Sequence, residues 1–407
     1  MEKGTTETLE LDTFSLFFPL PFRLAIILVA GFWGWGVNLH YLTWARIDVP
    51  ALIRYPSRQY PQQPPHYLSA YHLAMLLTIP LGVFLLLFWA ITYGSPERVI
   101  AWEIIPQTYL MLFVALLIFP FHRLSRFGRK RFLATLRRIS VGGLAEAQDG
   151  KFGDILLADA LTSYSKVLAD IYINYCMFFS SDMSSTGKPD RSCGRPLIVP
   201  TLIAIPYAIR FRQCLIEFFR VRRHRVGDDW GGQHLANAAK YASAFPVIIF
   251  AALQQDHDPV TSSMSLATIS RLWTLCSFIN SAYSFWWDVT MDWDLTLLTR
   301  NHHRGAFRQQ QDYPYGLRRH RVFPRDDLYY GAIVIDLILR FTWLTRLSPN
   351  LDRINSFESG IFLLVFLEVA RRWMWIFFRV ETEWVRTSRG PAPDDVLLGE
   401  LGKYDDD

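Results

Sequence analysis

The sequence predicts an all-α fold, a polytopic bundle of about nine or ten membrane-crossing helices. Three observations point there. Of the 407 residues, 51% are hydrophobic and 15% aromatic, while only 19% are charged, against roughly 25% charged in soluble domains. Apolar windows recur that reach the length of about 20 residues needed to cross a bilayer. Basic residues crowd alternate loops, which is the signature of oriented insertion. The net charge of +5 says less than this distribution, and nothing suggests a nucleic-acid partner.

The expected spans are 22–45, 70–93, 104–121, 151–180, 196–217, 235–253, 267–288, 327–347 and 356–379. The segment KRFLATLRRISVGGL (130–144) is apolar on one side and basic on the other. It reads as an interfacial helix, with a short tenth span as the alternative. The loop HRLSRFGRKRFLATLRR (122–138) holds seven Arg/Lys and no acid, and 210–225 and 300–325 are also basic. Loops 180–196, 254–265 and 348–356 are not. This alternation puts the C-terminus in the cytosol. The N-terminus is lumenal with nine spans and cytosolic with ten. The organisation is then a short N-terminal tail (1–21), N-terminal spans with the basic interfacial segment (22–150), a second membrane domain (151–385) and an acidic, disordered tail (386–407). Within the tail, DDVLL (394–398) has the form of an acidic di-leucine sorting signal.

The segment LADALTSYSKVLAD (157–170) sits inside an apolar run yet is rich in polar residues. As a helix it places Asp159, Thr162, Ser163, Lys166 and Asp170 on one stripe, continued by Asn174. A charge at the bilayer centre costs at least about 2.5–3.5 kcal/mol, so the stripe must face partners or a water-filled cavity. Other spans repeat the anomaly. Asp336 and Arg340 lie one turn apart in AIVIDLILRFTW, Glu368, Arg371 and Arg372 lie in FLLVFLEVARRWMWIFFRVE, and Lys240 stands beside Tyr241. Asp288 and Asp292 close a span and are expected at its cytosolic edge. The plain alternative is mutual neutralisation along single helices and hydroxyls acting as helix glue. Taken together, Lys240, Arg340, Arg371 and Arg372 outnumber Asp159 and Glu368, leaving a surplus of guanidinium. Guanidinium forks match phosphate or carboxylate bidentately, and the hydroxyls of Thr162, Ser163 and Ser165 can donate to the same anion. An acid nearby keeps binding weak enough for release. The pattern points to oxyanion passage.

The four cysteines (Cys176, Cys193, Cys214, Cys276) are scattered without CxxC or Cys/His spacing. A structural zinc or a disulfide framework is therefore not expected. No GxSxG, HExxH, P-loop or paired-carboxylate motif stands in a fitting context, so the chain reads as no enzyme. His302–His303 has no spaced third ligand, and no metal or cofactor is expected.

Several ordered stretches add a resemblance. FGDILLADALTSYSKVLADI, NAAKYASAF, YSFWWDVTMDWDL, AIVIDLILRFTW and LEVARRWMWIFFRVETE resemble the EXS-domain family, which includes phosphate exporters of the xenotropic-retrovirus-receptor type and shorter fungal Golgi members. The similarity covers roughly 150–383. It implies that the last six helices form a transport bundle for inorganic phosphate. It further implies a path lined by Asp159, Thr162, Ser165, Lys240, Tyr241, Arg340, Arg371 and Arg372, with Trp343 gating and Glu368 as the acid of the last helix. The family often has Asn where Thr162 stands. The stripe favours Ser163 and the resemblance Ser165, so both remain candidates. The exporters carry an N-terminal SPX domain that senses inositol pyrophosphates. About 20 residues precede the first span here, so that sensor is not expected.

The function expected from this is Golgi export of phosphate to the cytosol, recycling the by-product of glycosylation and so supporting retention of ER lumenal proteins. Phosphate, membrane lipids, proteins that sort glycosyltransferases and a second copy of the chain are the expected partners. The alternative is a sorting receptor or adaptor without transport, acting through the tail and through Arg318, Arg319 and Arg321.

Overall fold

The computed structural model describes residues 12–55, 65–119, 126–180, 183–194, 197–224, 231–259, 262, 264–298, 314–347 and 357–388. Among them the secondary structure is helical, with no strand. The principal helices are α1 (Leu20–Trp44), α2 (His66–Thr92), α3 (Ile104–Ile118), α4 (Arg126–Arg137), α5 (Lys151–Ser163), α6 (Ser165–Phe178), α7 (Ile198–His224), α8 (Gly232–Ala242), α9 (Ala244–Gln255), α10 (Leu266–Trp287), α11 (Asp326–Arg340) and α12 (Glu358–Ser388). With α5–α6 and α8–α9 each taken as one bent rod, nine rods stand at the nine expected spans. Four are long and apolar enough to cross a membrane on length and composition alone: Leu20–Trp44, His66–Thr92, Gly232–Gln255 and Asp326–Leu347. Of the others, α3 is apolar but short, at 15 residues, while α5–α6, α7 and α12 carry charges that find partners inside the bundle.

Local chemistry sets the helix ends. Proline, which lacks an N–H and has φ near the helical value, is suited to helix starts. Pro19 and Pro65 accordingly cap α1 and α2. Tyr93 ends α2 in the left-handed region at φ 48°. The Ser265 hydroxyl caps α10 by accepting from the Thr268 N–H at 3.2 Å. α4 runs into a π-helical turn, Arg138–Gly142. It is basic along its length, and Arg129 caps α3 by donating to the carbonyls of Leu116 and Phe119 at 2.5 and 2.8 Å. It is the amphipathic segment expected and no tenth rod.

Three spans differ from the continuous helices predicted. The 151–180 span bends at Tyr164 (φ −92°, ψ 5°), the 235–253 span at Ser243, and the 327–347 span changes to a 3₁₀ helix, Thr342–Leu347. The first two lie within the bundle, where side chains can satisfy the freed backbone groups, whereas the 3₁₀ segment lies at its margin with no residue fully buried.

The helices α1, α2 and α3 pack together through Phe22, Val29, Leu77, Phe88, Tyr109 and Phe113. On its outer face α2 exposes Met75, Ile79, Val83, Leu86 and Leu87. Such a patch is at home against lipid tails and would be a liability in water. The remaining rods form a six-rod bundle, and α12 is seated against α1. Glycines of α1 permit this approach. A Cβ on Gly31 would stand 2.1 Å from the Tyr164 hydroxyl, and one on Gly34 would stand 2.2 Å from the Trp373 ring.

One cysteine expectation is overturned. Cys176 and Cys193 form a disulfide, with Cα atoms 6.1 Å apart. The spacing matched no motif because the loop after α6 folds back onto the helix end, which linear spacing does not reveal. The same loop is fixed by Glu103, which accepts from the Ser184 hydroxyl and the Ser185 N–H, both at 2.8 Å. It is also held by Arg191, which clamps Glu358 at 3.0 and 3.1 Å. Glu358 further accepts from Arg23 of α1 at 2.6 Å. The disulfide thus marks one end of the molecule and the basic loops the other. The tail with DDVLL and the His302–His303 pair lie outside the described residues.

Candidate functional site

The polar stripe of α5 and α6 divides at the Tyr164 bend. Asn174, at its far end, exchanges amide hydrogen bonds with Gln107 of α3 at 2.8 and 3.0 Å. It serves helix packing. Lys166 and Asp170 face Arg191 and Glu358 at the disulfide end. Asp159, Thr162 and Ser163 are buried and turn into the centre of the six-rod bundle.

There the structure gathers most of the expected residues. Asp159 Oδ1 accepts from the Tyr241 hydroxyl and from Arg210 Nε at 2.8 Å. Lys240 lies 3.5 Å from Asp288 and 3.3 Å from Asp292. Arg340 pairs with Asp288, and its contact with Asp336 one turn away on the same helix is the longer one, at 3.8 Å. Arg371 is saturated: it holds Glu368 through two nitrogens at 2.6 and 3.0 Å and Asp336 at 3.0 Å.

Arg372 differs. Its Nε donates to the Ser163 hydroxyl at 3.0 Å and one terminal nitrogen to the Thr162 hydroxyl at 3.1 Å. Its guanidinium lies 4.6 Å from the Trp375 ring centre. Among the described residues no carboxylate stands within 4 Å of it. It is the guanidinium in the cluster held by neutral groups alone, and it is almost wholly buried. A buried cation without a contacting acid is costly, and Asp159, Asp288 and Glu368 act on this one only from a distance.

The hydroxyls do less for an anion than expected. Thr162 donates its proton to the Asp159 carbonyl at 2.7 Å, and Ser163 donates its own to Glu368 at 2.7 Å. Both accept from Arg372, so in this arrangement they position the guanidinium. Ser165 lies apart from them and pairs with the Tyr207 hydroxyl.

Tyr207 faces a cavity of about 380 Å³ that also touches Gln255, Asn280, Trp273, Arg346 and Trp343. It lies toward the disulfide end. Trp343 lines this cavity. Its indole N–H donates to the Ser281 hydroxyl at 3.0 Å, which in turn donates to the Arg340 carbonyl at 3.1 Å. Trp273 packs edge-on against it, ring centres 5.9 Å apart.

Three sequence expectations need correction. Asp288 and Asp292 are not edge residues. Asp288 is fully buried in the cluster, because α10 continues into a π-helical turn, Asp288–Asp292, that carries both acids inward. The cationic surplus consequently disappears into ion pairs, and of the four expected cations Arg372 is the one without a contacting acid among the described residues. Arg318 is no free loop cation. It is buried and donates to Glu381 and Thr382, both at 2.5 Å, and to the Trp293 carbonyl at 2.8 Å.

Arg210 and Arg379 were missed. The sequence puts Arg210 both in the 196–217 span and in the basic stretch 210–225, and α7 extends through it to His224. Its spacing with Gln213, Cys214 and Glu217, one helical face, was the available signal. Arg379 lies 3.8 Å from Asp292 and 2.8 Å from Glu383, extending the chain of charges toward the basic end.

Comparison with known proteins agrees with this architecture. Residues 18–385 match the EXS family. The chain is 32% identical to Protein ERD1 homolog 1 of Schizosaccharomyces pombe over 383 residues, 92% of this chain and 93% of that protein. It is 32% identical to Solute carrier family 53 member 1 of Homo sapiens over 279 residues, 63% of this chain and 37% of that protein. It is 27% identical to SPX and EXS domain-containing protein 1 of Dictyostelium discoideum, over 90% of this chain and 37% of that protein. A helical membrane bundle with a charged, partly open centre, matched along nearly its whole length, belongs to the EXS family.

Proposed function

We propose that the six-rod bundle is a conduit for inorganic phosphate, running from the Golgi lumen to the cytosol without chemical conversion of the ion. Arg372 carries this reading. A buried guanidinium oriented by two hydroxyls and backed by an indole offers its remaining donors to a tetrahedral oxyanion. The saturated ion pairs around it, with Asp159, Lys240, Tyr241, Arg340 and Arg371, hold the site in shape and give a passing anion alternative partners. Trp343, which lines the cavity and reaches the Arg340 carbonyl through Ser281, is the proposed gate, and Glu368, tied to both Ser163 and Arg371, its acidic counterpart.

The direction follows from the two ends. A disulfide favours an oxidising compartment, and basic loops favour the cytosol, so the Cys176–Cys193 end is lumenal and the C-terminus cytosolic. With nine rods the N-terminus is lumenal. The role in recycling phosphate left by glycosylation, and thereby in protein retention, rests on the resemblance to Golgi members of the family.

The test is phosphate flux in proteoliposomes of the purified protein, wild type beside Arg372→Ala. Flux that is lost in the variant while its melting profile survives, and that sulfate does not share, supports the conduit. Equal flux in both would refute the assigned path. Absence of flux in both folded proteins transfers the weight to the sorting adaptor.

A further inference from the structure

Besides the cavity facing the centre, a groove of about 710 Å³ opens on the outside of the bundle. One wall is a face of α10: Arg271, Thr274, Leu275 and Phe278 follow the spacing i, i+3, i+4, i+7 that makes a single helical stripe. The other wall is the 3₁₀ segment after α11, through Trp343, Leu344 and Leu347. Among the described residues no helix fills the space between them. Leu275 and Phe278 are each 54% exposed, and Arg271 is exposed with no acidic partner among the described residues.

The groove is graded in polarity. Arg271 is in the second turn of α10 at the disulfide end, flanked by Ser270 and Thr274. Phe278 lies seven residues deeper, about 10 Å along the axis at about 1.5 Å per residue. A cation and hydroxyls toward the disulfide end, above an apolar trough, complement a phosphodiester above an acyl chain. A free phosphate ion matches only the top of this groove, and an apolar helix matches only the bottom.

We propose that this groove binds one glycerophospholipid of the adjoining leaflet, with its phosphodiester on Arg271 and an acyl chain along Leu275, Phe278 and Leu347. Trp343 lines both this groove and the inner cavity. A lipid seated here touches the outer side of the residue whose indole N–H reaches, through Ser281, the carbonyl of Arg340. The lipid thus sets the resting position of the gate. This second step rests on the conduit reading, whereas the binding step does not.

Binding is tested first, by native mass spectrometry of the delipidated full-length protein mixed with phosphatidylcholine, phosphatidylglycerol or diacylglycerol. The wild type should retain one more molecule of either phospholipid than Arg271→Glu does. Its apparent affinity should be about tenfold higher, the worth of one charge-assisted hydrogen bond. Arg271→Lys should recover part of it, and Leu275→Trp, which fills the trough but keeps the charge, should lose it. Diacylglycerol should not be retained, and millimolar inorganic phosphate should not displace the phospholipid. Equal retention by wild type and Arg271→Glu overturns the site, and displacement by inorganic phosphate reassigns it to a free anion. Flux in phosphatidylcholine vesicles is measured second. A change in Arg271→Glu with a normal Arg372-dependent component supports gate coupling. Unchanged flux with lost lipid binding removes the coupling and keeps the site. Absence of flux in the wild type counts against the conduit alone.

Discussion

Replacing Gly34 by alanine adds one methyl group to α1, yet the structure gives that methyl nowhere to go. Its Cβ would stand 2.2, 2.4 and 2.6 Å from Cε2, Cδ2 and Nε1 of Trp373. Ordinary contact begins near 3.4 Å, so the indole must retreat by the difference between 3.4 and 2.2 Å, about 1.2 Å. Phe366 packs edge-on against the ring, centres 6.3 Å apart, and the Trp373 carbonyl is held by Asn38 one turn further along α1 at 3.1 Å, so ring and backbone are both confined. The shift therefore passes to α12, and the neighbouring residue is Arg372. Its bonds of 3.0 and 3.1 Å to Ser163 and Thr162 do not survive a displacement of that size. Overpacking costs about 1–3 kcal/mol, and alanine recovers about 1 kcal/mol of helix propensity. The net expectation is a loss of up to about 2 kcal/mol together with reduced phosphate flux. Gly82→Ala is the control, since a Cβ there meets nothing within 4 Å. It should be neutral or stabilising by up to about 1 kcal/mol. Thermal unfolding of the solubilised variants and flux in vesicles measure both. If Gly34→Ala melts with Gly82→Ala and conducts normally, α1 does not position the last helix, and the reasoning fails.

Other expectations follow from single contacts. Arg318→Ala leaves the fully buried Glu381 without its guanidinium and should cost about 3–5 kcal/mol, read as loss of folded protein on size exclusion. A well-folded Arg318→Ala defective only in sorting would restore the loop-adaptor reading. Cys176→Ser opens a loop of 17 residues and should lower stability by about 3 kcal/mol. Dithiothreitol should lower the wild-type melting temperature and leave that of the variant unchanged. Ser163→Ala removes the hydroxyl that bridges Glu368 and Arg372, a loss of about 1–3 kcal/mol. It should therefore alter the apparent phosphate affinity more than Ser165→Ala, whose hydroxyl meets Tyr207. Equal effects in a concentration series would return Ser165 to the path.

The sequence by itself determined the helical membrane architecture, the positions of the spans and the inward stripe of 157–170. These follow from hydropathy and from the 3.6-residue period, both local properties of the chain. It also brought the right residue types to notice, because an ionisable group at membrane depth is conspicuous whatever it touches. Tertiary structure decided the pairings. Arg340 and Asp336, one turn apart, looked like natural partners, but each finds a closer one on another helix. Arg371 and Arg372 are adjacent in sequence and point about 100° apart around α12, so one is buried among acids and the other among hydroxyls. Arg210 lies within the expected 196–217 span but is counted with the basic stretch 210–225, and Asp288 is placed at an edge because its helix continues into a π-helical turn. The disulfide was invisible for a related reason. Pairing needs two Cβ atoms to meet, and only the folded loop brings Cys193 back to Cys176. Charge along a chain is a one-dimensional quantity, whereas neutralisation depends on distances of a few ångströms between helices. The residue left without an acid, on which the proposed function turns, was therefore fixed by the packing of the rods.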